Sequence, residues 1–203
     1  MKGMVCPVNL SNKLTIIRIV LAPLFLVLLM VEFPFHHLIA GLVFGAAALT
    51  DMLDGKIARK HGLITNLGKF LDPLADKMLT TAAFLGFLAT GHLDVWAIMI
   101  ILTREFMVTS VRLVAAGDGT VIAASIWGKV KTVTQFTAIL FLLASLEFAS
   151  WQQTLLAGAG LPDAVFTVPL LIGRILVWVS VVFTVISGVQ YFWNYRHYFM
   201  DSK

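Results

Sequence analysis

Four aspartates at helical spacings are the part of this sequence best equipped for chemistry. Between two strongly apolar segments runs Asp51-Met52-Leu53-Asp54-Gly55-Lys56-Ile57-Ala58-Arg59, then eight residues, then Gly68-Lys69-Phe70-Leu71-Asp72-Pro73-Leu74-Ala75-Asp76. This stretch holds four of the chain's eleven acidic residues. If both flanks are helical, Asp51, Asp54 and Ala58 share one face and Gly68, Asp72 and Asp76 share another, because residues three, four, seven or eight apart stack along a helix. Two such helices can point paired carboxylates at each other. Carboxylates that converge raise one another's pKa values unless cations sit between them, so the spacing argues for a divalent metal site. All-oxygen ligation without Cys suits Mg²⁺ or Mn²⁺ better than zinc. The small residues Gly55, Ala58 and Gly68 on the same faces leave room for a ligand against the backbone. Any one of these aspartates could be a merely solvated acid at a membrane surface; all four at these spacings argue against that reading.

The filled pattern, D-x2-D-G-x2-A-R-x8-G-x3-D-x3-D, resembles the signature of the CDP-alcohol phosphotransferases. That resemblance implies a membrane enzyme that displaces CMP from a CDP-activated lipid or alcohol, using two metal ions. It implies that Asp51, Asp54, Asp72 and Asp76 hold the metals and that Asp76 doubles as general base. It further implies that Gly55, Ala58 and Arg59 contact the CDP moiety, with Asp51, Gly68 and Thr15 lining the CDP-diacylglycerol site. Outside the signature, Arg104-Glu105, Ser110, Arg112 and Gly128-Lys129-Val130-Lys131-Thr132 with Gln135 look like segments of the bacterial phosphatidylglycerophosphate synthases within that family. The motif Asn12-Lys13-Leu14-Thr15-Ile16-Ile17-Arg18 resembles the family's N-terminal segment. The resemblance thus covers roughly residues 9 to 135, and the last two apolar segments match only in being apolar. It implies transfer of the phosphatidyl group of CDP-diacylglycerol to sn-glycerol 3-phosphate, and a homodimer.

Elements must position these residues, and composition says which kind. Of 203 residues 59% are hydrophobic and 13% charged, and mean hydropathy is +0.91. A soluble globule is excluded. The expected fold is all-α and integral to the membrane, one domain over 1–203 with a polar active-site cavity open to the cytoplasm. A span needs about 20 apolar residues, and six candidates lie near 12–32, 35–55, 70–90, 93–115, 127–149 and 168–192, after an N-terminal cytoplasmic segment, 1–11. Arg18 interrupts the start of the first, which reads as a retained helix and not as a cleaved leader. Single Cys6 forms no intramolecular disulfide.

Net charge is +4, and its distribution orients the chain. Lys2, Lys13, Arg18, Lys56, Arg59, Lys60, Lys69, Lys77, Arg112, Lys129, Lys131, Arg196 and Lys203 fall on one side. The connections near 32–37, 90–94 and 149–167 carry no Lys or Arg, but hold Glu32, Asp94, Glu147 and Asp163. By the positive-inside rule both termini and the aspartates are cytoplasmic, as in a bacterial inner membrane. No nucleic-acid partner is expected.

The remaining polar residues each have a bland alternative. Arg18 could snorkel, though the N-terminal motif favours a pocket role. His36 and His37 follow Phe33-Pro34 in an external turn and suit an interface better than a metal. Asn9 or Ser11 could cap the first helix, Thr65-Asn66 offers a cap or turn before the third, and Pro73 permits a helix break or a local start. Arg104 and Glu105 fall inside an apolar run, where charge faces a partner or a watery cavity. Lys129 and Lys131 could bind anionic lipid head groups. Taken with Arg104, Arg112 and Arg18, they instead form a cationic patch for glycerol 3-phosphate. Serine, inositol phosphate and phosphatidylglycerol are alternative acceptors. A divalent-cation transporter is the alternative of a different class, disfavoured because the acids sit at span ends and no inverted repeat is evident.

Overall fold

A computed structural model describes the chain at 10–61, 66–117, 125–152, 155, 156, 158 and 160–196, with side chains described except those of 10–14, 51–61, 66–74, 76 and 116. Among the described residues the structure is six α-helices and no strand: α1 (Leu10–Met30), α2 (His36–His61), α3 (Asn66–Ala89), α4 (Val95–Gly117), α5 (Ile126–Ser150) and α6 (Ala164–Tyr195). The chain divides into two compact units, Met1–Gly86 and Phe87–Lys203.

In the first unit α1 packs along α2. The reason is a stripe on each helix. Thr15, Arg18, Ala22, Phe25 and Leu29 recur at three and four residues and are all buried, as are Ala40, Phe44 and Ala47. The Phe25 and Phe44 rings meet with centroids 5.6 Å apart. The turn between the helices passes through Phe35, whose φ of 63° is the left-handed region. His36 then begins α2 and donates from Nδ1 to the Phe33 carbonyl at 2.8 Å. Ser11 lies inside α1 and Asn66 opens α3, whereas Asn9 and Thr65 lie outside the described residues.

Two boundaries differ from the apolar pattern. The second apolar run ends near 55, but α2 continues to His61. Hydropathy marks embedding in lipid, while Lys56, Ala58, Arg59 and Lys60 are good helix formers that carry the backbone on. Likewise α3 is helical throughout Asn66–Ala89, so Pro73 causes neither a break nor a new start. Pro23 and Pro169 also sit within helices, as membrane spans tolerate.

In the second unit α6 packs against both α5 and α4. Its buried positions, Gly173, Val177, Ser180, Thr184, Ser187, Gly188 and Tyr191, again follow a three-and-four spacing. Small residues let backbones approach closely. A Cβ at Gly173 would lie 2.9 Å from Leu142 Cδ1 and 3.3 Å from Leu142 Cα. Helix α5 begins on a cap: Ser125, with φ −69° and ψ 157°, accepts from the Gly128 N–H at 3.1 Å through its hydroxyl. Beyond α5, Trp151 donates to Glu147 at 2.9 Å and Gln152 to Asp163 at 2.7 Å.

Among the described residues α5 and α6 are long and apolar enough to cross a membrane, with mean hydropathies of 1.5 and 2.3, while Thr15–Met30, His36–Thr50 and Lys77–Ala89 are shorter apolar helical stretches. At about 1.5 Å per residue the 32 residues of α6 extend about 48 Å, beyond a hydrocarbon core of about 30 Å.

The α3–α4 connection turns at Gly91, whose φ is +75°, and sets His92 beside Arg174 at a cavity of about 260 Å³ also lined by Asp94 and Trp178. Burial first, and the Arg174 charge second, hold the His92 pKa below its ordinary 6.5. His92 is therefore neutral at pH 7.

Replacing Gly173 by Ala should force α5 and α6 apart and destabilise the fold by about 1–3 kcal/mol, read as a lower thermal unfolding midpoint in detergent. For His92, an NMR titration should give a midpoint below 6.5 that rises only part of the way in Arg174→Gln, because burial remains. Since the unfolded chain takes up this proton before the folded one, its contribution to stability is full above 6.5 and is lost as pH falls from there through the folded pKa.

Candidate functional site

In the first unit the backbone places the aspartates as their spacing requires. Asp51, Asp54, Gly55, Ala58 and Arg59 lie on the one continuous helix α2, and Gly68, Asp72 and Asp76 on α3. Their side chains lie outside the described ones. The buried stripe of α2, Ala40, Phe44 and Ala47, continues at the same spacing through positions 51, 54 and 58. Ala75, Leu79 and Ala83 are buried on α3, and Asp72 precedes Ala75 by three residues. Helices α1 and α2 run antiparallel, so seven residues along each from the Phe25 and Phe44 pair bring the backbone of Arg18 level with that of Asp51. Arg18 is 4% exposed and Thr15 1%. A snorkelling arginine would be exposed, so the structure removes that reading of Arg18.

The second unit holds a charge cluster on three helices. Near the middle of α4, Arg104 Nη1 donates to Glu105 Oε1 at 3.3 Å. Lys131 of α5 donates to the same Glu105 oxygen, and Arg104 Nη2 donates to the Ser187 hydroxyl of α6. These side chains are nearly covered, at 11% for Arg104, 16% for Glu105 and 6% for Lys131. Two turns along α4, Arg112 donates from Nε to the Tyr191 hydroxyl at 3.3 Å, with its guanidinium 5.7 Å from the ring centroid. Gln135, one turn beyond Lys131, reaches Thr184 at 3.5 Å. The Arg104 Nε is buried and has no hydrogen-bond partner among the described residues.

The cluster sorts the sequence candidates. Arg104, Glu105 and Lys131 come together and Arg112 is tied to the same face of α6. Lys129 does not join them. Two residues along a helix is about 200°, and Lys129 is exposed while Lys131 is buried. Ser110 turns away as well, donating to the Phe106 carbonyl of its own helix at 2.9 Å. Residues 118–124, in the expected flexible link after Gly117, lie outside the described ones. So do the tail residues beyond Arg196.

Sequence reasoning missed the contribution of α6. Thr184, Ser187 and Gly188 read as part of an apolar span and Tyr191 as the start of an aromatic belt at its cytoplasmic end, although small and polar residues at spacings of three and four in such a helix are the signal of an inward face. The cluster carries three cations against one carboxylate, a balance of +2 for Arg104, Arg112, Lys131 and Glu105, of which Arg104 and Lys131 are covered and Arg112 is exposed. Buried charge in excess of its partners favours an anion, and arginine forks suit phosphate oxygens.

Comparison with known proteins places the chain in a family. The family model for CDP-alcohol phosphatidyltransferase matches residues 8–186, which extends past residue 135 through α5 and most of α6. A curated relative from Bacillus subtilis named CDP-diacylglycerol--glycerol-3-phosphate 3-phosphatidyltransferase is 39% identical over 196 residues, covering 91% of this chain and 93% of its own. One of the same name from Rickettsia bellii is 32% identical over 94% of this chain and 97% of its own. A probable phosphatidylglycerophosphate synthase from Mycobacterium tuberculosis is 43% identical over 66% of each chain. With the signature intact on α2 and α3 and the match running from α1 into α6, this chain belongs to the CDP-alcohol phosphatidyltransferase family.

Proposed function

We propose that this chain transfers the phosphatidyl group of CDP-diacylglycerol to sn-glycerol 3-phosphate, giving phosphatidylglycerophosphate and CMP. The observation that carries the choice of acceptor is the Arg104–Glu105–Lys131 cluster with Arg112 beside it. Its excess of positive charge complements a phosphate monoester, which bears about −1.5 to −2 near neutral pH. Serine offers no such group. The names of the Bacillus and Rickettsia relatives support the same acceptor.

The reaction is an in-line displacement. The 1-hydroxyl of the acceptor attacks the β-phosphorus of CDP-diacylglycerol, a new P–O bond forms, and the bond to CMP breaks with the electron pair leaving on CMP. Asp76 accepts the hydroxyl proton. Asp51, Asp54, Asp72 and Asp76 would hold Mg²⁺ or Mn²⁺, for which an all-carboxylate set at i, i+3 and i, i+4 on two helices is a suitable donor arrangement. When bound, such ions would supply charge neutralisation for the transferred phosphate. Gly55, Ala58, Arg59, Gly68 and Thr15 bind the CDP-diacylglycerol, and Arg104, Arg112, Lys131, Lys129 and Arg18 the acceptor phosphate. The exposed Lys129 serves from the rim.

All six helices are read as membrane spans with a cytoplasm-facing cavity, both termini cytoplasmic, in a bacterial inner membrane as a homodimer. Charges at the middle of α4 support this reading, since a charge inside a span faces a partner or a watery cavity and not lipid.

Purified protein in detergent with CDP-diacylglycerol and Mg²⁺ should release CMP with glycerol 3-phosphate and not with serine, inositol phosphate or phosphatidylglycerol. Asp76→Asn should slow that release by about 10² to 10⁴-fold. CMP release with a different acceptor would keep the family chemistry and overturn the acceptor. Lys131→Ala should raise the KM for glycerol 3-phosphate about tenfold and leave that for CDP-diacylglycerol unchanged; the reverse pattern would remove Lys131 from the acceptor site.

A further inference from the structure

The arginines that the acceptor site requires are long side chains with many rotamers, and their orientation is decided on a helix that carries none of the signature. Arg104 is held at two points. Its Nη1 meets Glu105 at 3.3 Å and its Nη2 meets the hydroxyl of Ser187, which is fully buried. Its stem passes over Gly188, where a Cβ would lie 3.0 Å from Arg104 Cγ. The guanidinium fork is rigid and planar, so two fixed contacts determine where its other N–H groups point. Arg112 is held by Tyr191 through its hydroxyl at 3.3 Å and its ring face at 5.7 Å. Tyr191 is itself fixed, 3% exposed against Val108 and Val111 of α4 and with its ring centroid 4.8 Å from that of Tyr195.

We propose that Ser187 and Tyr191 are positioning residues, which hold the guanidinium groups of Arg104 and Arg112 in the orientation that receives the phosphate of the acceptor, with Gly188 leaving room for the Arg104 stem. This rests on the reading of those arginines as phosphate ligands. Ordering them before the substrate arrives removes a rotamer cost that binding would otherwise bear. A neutral hydroxyl suits the task because it accepts from a guanidinium without cancelling its charge. A second carboxylate at 187 would reduce the +2 balance to +1 and weaken the grip on a dianion. Glu105 alone leaves Arg104 free to swing about a single contact. Ser187 fixes the plane.

The test compares the KM for glycerol 3-phosphate with that for CDP-diacylglycerol in purified Ser187→Ala, Ser187→Thr and Tyr191→Phe. Ser187→Ala and Tyr191→Phe should each raise the first about tenfold and leave the second unchanged, and Ser187→Thr, which keeps the hydroxyl, should recover most of the loss. Because Ser187 acts through Arg104, adding Ser187→Ala to Arg104→Lys should cost nothing further. An unchanged KM for glycerol 3-phosphate, an equal rise in both KM values, or additive effects in the double variant would overturn the proposal. If Ser187→Ala does not fold, Tyr191→Phe, which keeps the ring, decides by the same criterion. Wild-type protein without glycerol 3-phosphate-dependent CMP release would instead remove the acceptor reading and this proposal with it, whereas an active wild type with indifferent variants removes only the proposal.

Discussion

A carboxylate shared by two cations inside an apolar helix bundle is the constraint on which the second unit is built. Glu105 takes both Arg104 and Lys131, and neither cation could be buried in this setting without it. The surrounding design follows. Ser125 caps α5 so that Lys131 falls on its second turn, within reach of α4. Helix α6 replaces bulk with Ser187 and Gly188 where Arg104 must pass. Gly173, further along α6, lets the same helix close against Leu142. Removing Glu105 would leave two buried cations to repel each other.

Two covered cations against one carboxylate leave one positive charge uncompensated, and an uncompensated buried charge is costly. Under the proposed function, the phosphate of the acceptor would complete it. The first unit carries its four aspartates on two helices that also hold Lys56, Arg59, Lys60, Lys69 and Lys77.

The stripes on α1 and α2 explain how polar residues are carried to depth without loss of the helix pair. Phe25, Ala22 and Leu29 form the apolar length of the stripe that also carries Arg18 and Thr15. The residues at the far end therefore inherit the orientation set by packing in the middle. The same logic makes the continuation of α2 to His61 matter, because a break near residue 55 would have released position 58 from the face that holds 51 and 54.

Much of this was legible in the sequence. The six helices follow from apolar runs of span length, and the aspartate register from a spacing that only a helix turns into one face. Family and chemistry follow from residue types at eight positions. Charge inside an apolar run marked Arg104 and Glu105, and the cationic patch joined Arg104 and Arg112 to Lys129 and Lys131, because ionised groups in apolar helices need partners. The sequence could not say that Lys131 turns inward while Lys129 turns out, since either could have faced the bundle. Nor could it assign the hydroxyls. In an apolar helix a serine can return its proton to its own backbone, as Ser110 does to Phe106 and Ser180 to Val177 at 2.7 Å. It can equally take one from a neighbouring helix, as Ser187 does from Arg104. Local sequence is alike in both cases. The choice belongs to whichever helix packs across from it, and only the tertiary structure, by bringing α4 against α6, makes it.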